Sequence, residues 1–94
     1  MKRYSITNYT RRQAKKLGLT VKPSLVKNKK IDVFNKRGEK VASVGALGMN
    51  DYPTYMKKYG NSYAKTRRRL YKMRHEKDRH IPHSNGWYAD KLLW

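Results

Sequence analysis

Cysteine is missing from the sequence, and with it go disulfides, thiolate chemistry and cysteine-ligated zinc. Acidic side chains are nearly as scarce: six Asp and Glu stand against 24 Lys and Arg in 94 residues. Carboxylates that few, and spread along the chain, are a poor source of metal ligands. No apolar run approaches the ~20 residues of a membrane-spanning helix. The opening MKRYSITNYT is basic but lacks the apolar segment of a secretory signal. These absences suit an intracellular or encapsidated setting. No Gly-x-Ser-x-Gly elbow is present. The glycines of GALGMN are not followed by the Lys-Ser/Thr pair of a phosphate-binding loop. No catalytic residue and no cofactor is expected.

What is present is charge of one sign. The formal net charge is +18, a field that costs a small domain stability through self-repulsion. Solubility alone would need only a few charges. An anionic partner is the expectation, nucleic acid first; an acidic protein surface or an anionic membrane would offer the same attraction. Hydrophobic residues make up 37% of the chain, with eight Tyr, two Trp and one Phe. One small domain spanning 1–94 is expected, with aromatic rings supplying much of its core.

Punctuation along the chain divides it into short elements. TNYTRRQAKKLG predicts a helix over 8–18, with Thr10 and Gln13 at capping-box spacing and Gly18 as left-handed stop. VKPS, at 21–24, reads as a break because Pro23 lacks an amide proton and restricts Lys22. KKIDVFNKRGEKVASVG predicts a β-hairpin over 29–45, its turn at Asn35-Lys36-Arg37-Gly38. A second short helix is expected over 51–60, capped by Asn50 or Asp51 with Pro53 in its first turn. A basic amphipathic helix should follow over 62–78, and a segment over 86–94 should dock on the core or on a partner. The fold class is α+β: one hairpin packed by three or four short helices.

The basic helix raises the main functional question. At about 100° per residue, Tyr63, Thr66, Leu70 and Met73 form one stripe, expected to be core. Lys65, Arg68, Arg69 and Lys72 fall opposite, with Arg67, Tyr71 and Arg74 on the flank. On that reading Asp at Leu70 or Met73 unfolds the domain. Further along, His75, Glu76, Asp78, His80 and His83 are candidate ligands for a small metal-dependent nuclease. Their spacing does not match His-Glu-x-x-His, and the cations around them repel a dication. No metal site is expected. The phosphate-contacting set is instead Lys65, Arg68, Arg69 and Lys72 with Arg11, Arg12, Lys15 and Lys16 of the first helix and Lys36 and Arg37 of the turn. Arg offers a planar donor fork to phosphate and Lys a point charge. A footprint of roughly six to ten phosphates would make binding strongly salt-dependent. No zinc finger, helix-turn-helix or aromatic RNP pattern is present to read bases.

The strings DYPTY, RRRLYKMRHEKDR and YADKLLW, after YTRRQAKKLG and KKIDVF, resemble a family of small basic proteins of large DNA viruses of algae and protists. The similarity runs over nearly the whole chain and implies a viral context rather than a mechanism. The expectation is therefore a non-enzymatic binder of nucleic acid, duplex DNA rather than RNA, that packages or condenses a viral genome. It would reside in the virion or in the nucleus or cytoplasm of an infected cell, with no membrane partner. The rival is a minor capsid or cement protein, with Trp87, Tyr88, Leu92, Leu93 and Trp94 as anchors for a capsid partner.

Overall fold

The computed structural model describes residues 4–94. They form helix α1 (Asn8–Leu17), strands β1 (Thr20–Pro23), β2 (Lys29–Phe34) and β3 (Lys40–Ala46), and helices α2 (Tyr52–Tyr59), α3 (Asn61–Arg74) and α4 (Asn85–Leu93). The class is α+β, with one antiparallel sheet of order β1-β2-β3 packed against the four helices.

The expected hairpin is β2 and β3. Asn35 builds its turn: the side-chain oxygen accepts from the Arg37 and Glu39 amides, and Gly38 supplies a positive φ of 81°. The VKPS break is corrected to a third strand. Val21 lies opposite Val33 and Pro23 opposite Ile31. An edge strand tolerates proline at its end, where a missing N–H costs no internal pairing. This third strand also answers the weakness of a lone hairpin, which is marginal in water.

The cap of α1 lies three residues before the one expected. Thr7 accepts from the Thr10 amide, so Thr10 lies inside the helix. There its buried hydroxyl donates to the Leu92 carbonyl at 2.8 Å and ties α1 to α4. Gly18 ends α1 at φ 70°, and the Leu19 amide folds back to the Ala14 carbonyl. The core then assembles from Ala14 of α1, Val21, Ile31, Val33, Ala42 and Val44 of the sheet, and Tyr88, Leu92 and Leu93 of α4. Burying each large aliphatic side chain contributes about 1.5–3 kcal/mol. Gly45 allows a close approach of the sheet to α4: a Cβ there would stand 2.9 Å from Leu93 Cδ1.

The C-terminal segment therefore docks on its own core. Tyr88, Leu92 and Leu93 are buried there, which corrects their reading as anchors for a capsid partner. Only Trp87 and Trp94 keep partial exposure, and Trp94 stacks on Tyr71 at 4.2 Å between centroids.

Candidate nucleic-acid interface

α1 presents its charge as expected. Thr10 and Ala14 face inward, while Arg11, Arg12, Lys15 and Lys16 are exposed. Lys15 and Lys16 sit in the last turn, where cations complement the helix dipole. The hairpin turn lies against the same end of the helix: the Lys36 side chain passes over Gly18, its Cε 2.6 Å from where a Cβ would stand. Lys15, Lys22 and Lys36 thus line one open groove of about 440 Å³. Phe34 is in its wall, with the Lys22 ammonium 5.2 Å from the ring centre. Arg37 is exposed at the turn. Two of the three basic patches are therefore neighbours. At the other end of α1, Arg12 shares a second groove with Lys57 of α2.

α3 overturns the expected assignment of faces. Ala64, fully buried, marks its inner side, whereas Leu70 and Met73 are 43% and 66% exposed. Tyr63 is exposed beside Tyr59, their rings 4.9 Å apart. The inward residues are cationic and aromatic. Arg68 lies over Tyr52 at 4.6 Å and Arg67 over Tyr55 at 5.4 Å. Tyr71 stacks on Trp94, and the Lys72 ammonium donates to Asp90 at 2.7 Å. The cause is what waits on the other side. α3 packs chiefly on the tyrosine-bearing α2, and the buried Asp90 requires a cation. Cation–π contact and ion pairing suit Arg and Lys there, as they do not suit Leu. Arg68 and Lys72 are thus half-buried and engaged within the fold, while Lys65 and Arg69 remain exposed. The helix also ends at Arg74, with His75 as its cap, four residues before the expected end.

The acidic residues explain how so much positive charge stays outside. Three of the six are buried. Asp51 caps α2 through the Thr54 amide, and accepts from the Lys30 ammonium at 2.8 Å and the Tyr4 hydroxyl at 2.6 Å. Burial pushes its carboxyl pKa up, but these donors outweigh that and hold it below the usual carboxylate range. Asp32 of β2 is buried and accepts from the Ser24 and Ser43 hydroxyls and the Leu25 amide. Burial again opposes ionisation, but those bonds and Lys40 hold its pKa at about 2. Asp90 takes Lys72, with Arg79 at 3.8 Å. Only Glu39, Glu76 and Asp78 are exposed acids, against sixteen exposed Lys and Arg among the described residues.

The candidate nuclease segment is bound up with itself. Glu76 accepts from Arg79 at 3.0 Å and pairs with His80 at 2.6 Å. His75 packs at a tilt on Tyr71, and His83 meets the Tyr88 hydroxyl at 3.2 Å. Among the described residues, no three His, Asp or Glu side chains gather as a metal site would require. No described helix is long and apolar enough to cross a membrane.

Comparison with family models, curated proteins and solved structures gives no match to this chain.

Proposed function

We propose that this chain binds nucleic acid without enzymatic action and largely without reading sequence, through Lys and Arg contacts to the phosphates of duplex DNA. The observation that carries this reading is the sorting of charge: half the acids are buried and neutralised internally, leaving sixteen exposed cations against three exposed acids. The contacting set is Arg11, Arg12, Lys15 and Lys16 of α1, Lys36 and Arg37 of the turn, and Lys65 and Arg69 of α3. Arg68 and Lys72 support the fold instead. The resemblance to basic viral proteins makes packaging or condensation of a viral genome the setting we propose, in the particle or in the infected cell.

A second reading, a structural protein of the particle, is favoured by one observation. Tyr59, Tyr63, Leu70 and Met73 leave apolar surface exposed on α2 and α3, of the kind that marks protein contacts.

Fluorescence anisotropy on random-sequence duplex DNA across a salt series separates the two. Six to ten phosphate contacts give a log–log slope of about −5 to −9, indifferent to sequence. No binding at low salt would overturn the first reading and leave the exposed stripe as the surface to pursue.

A further inference from the structure

A separate cleft, of about 300 Å³, lies between the helices and the open end of the hairpin. That volume is at the small end for sites that enclose a ligand. Lys29 of β2, Arg67 and Arg74 of α3, and His75 at the α3 cap line it. Tyr55 and Trp94 add aromatic walls. Trp94 is fixed by its near-parallel stack on Tyr71, at an interplanar angle of 7°.

The charges in this cleft are not balanced. Asp51 is the one acid in its lining, and it already accepts from Lys30, Tyr4 and the Thr54 amide. Arg67 Nε is buried and has no hydrogen-bond partner among the described residues. An oxyanion with several acceptor atoms would find cationic donors on Arg67, Arg74 and Lys29 together. The aromatic walls suit a planar ring, since base stacking on such side chains is favourable and tolerant of base identity.

We infer that this cleft is a binding site for a phosphomonoester carried on a nucleoside. The phosphate lies toward Arg67, Arg74 and Lys29, and the base along Trp94 and Tyr55. The ligand's source is either a free nucleotide or the phosphorylated end of a nucleic acid strand. The site does not depend on contacts to duplex backbone.

The test uses the full chain carrying Trp87→Phe, so that Trp94 is the only tryptophan. Deoxyadenosine 5′-monophosphate is expected to quench its fluorescence saturably. Deoxyadenosine and inorganic phosphate should each bind at least tenfold more weakly. Lys29→Gln and Arg74→Gln should each weaken nucleotide binding about tenfold while leaving the circular dichroism spectrum unchanged. These two positions are chosen because Arg67 also packs on Tyr55. An unsaturable response, or one that both variants leave intact, would overturn the inference. Short single strands with a 5′-phosphate or a 5′-hydroxyl identify the source. Preference for the phosphorylated strand assigns the strand end, and equal binding of the two assigns the free nucleotide. Binding to unphosphorylated duplex, measured in parallel, reports on backbone contacts alone and keeps the two readings separable.

Discussion

α1 and α3 are both rich in Arg and Lys, yet they use that charge in opposite ways. α1 buries Thr10 and Ala14 and turns its four cations to solvent. α3 turns Arg67, Arg68 and Lys72 inward and leaves Leu70 and Met73 outside. The difference lies in their neighbours. α1 meets α4 and β1, close to the aliphatic centre of the domain. α3 meets rings and a carboxylate. The orientation of an amphipathic helix therefore follows the surface that receives it, and a basic face can be the packing face where that surface is aromatic and acidic.

The largest effect expected tests the buried ion pair. Asp51→Ala leaves the Lys30 ammonium almost fully buried and unpaired, and should cost about 3–5 kcal/mol in urea unfolding. A loss below about 1 kcal/mol would mean that Lys30 escapes to water and that the interior tolerates more charge than its hydrogen bonds suggest.

The second experiment sets the helices against each other. Replacing Arg11, Arg12, Lys15 and Lys16 together with Gln should weaken duplex binding on the order of a hundredfold and flatten the salt slope by about 3–4, with the fold intact. Arg68→Gln should do the reverse, lowering stability by about 1 kcal/mol through its lost contact with Tyr52 and leaving the slope unchanged. Equal slopes for the fourfold variant and the parent would move the interface away from α1.

Acid should reveal the Asp32 site. Its pKa in the fold is about 2, below the roughly 3.9 of an unfolded Asp. The stabilisation is therefore complete above pH 4 and is lost as pH falls through 2. It amounts to on the order of 2 kcal/mol. Denaturant titrations between pH 5 and pH 2 should show a steeper acid loss for the parent than for Asp32→Asn; parallel curves would remove Asp32 as the cause.

The smallest effect sharpens the comparison most. Leu70→Asp and Met73→Asp should each change stability by no more than about 0.5 kcal/mol, as exposed positions do. Unfolding of either variant would return α3 to the orientation expected from its periodicity.

Much of the local structure was legible in residue order, because short-range chemistry decides it. Gly18 stops α1 in the left-handed conformation, Asn35 and Gly38 make the turn, and Asp51 with Pro53 opens α2. β1 was hidden by Pro23, whose missing amide proton argues against a strand until the edge position is known. Arg68 and Lys72 were misplaced because helical periodicity gives relative positions and no absolute direction. Arg74, Lys29 and Trp94 are 20 to 65 residues apart in the chain and share the cleft only through folding.

The excess of positive charge, the absence of thiols, and the caps and turns belong to the sequence itself, since each depends on composition or on residues within one turn of each other. The tertiary structure alone decided which cations remain outside. That choice depends on Asp51 reaching Lys30, Asp90 reaching Lys72 and Tyr52 reaching Arg68, contacts whose energies exist only once distant parts of the chain have excluded water between them.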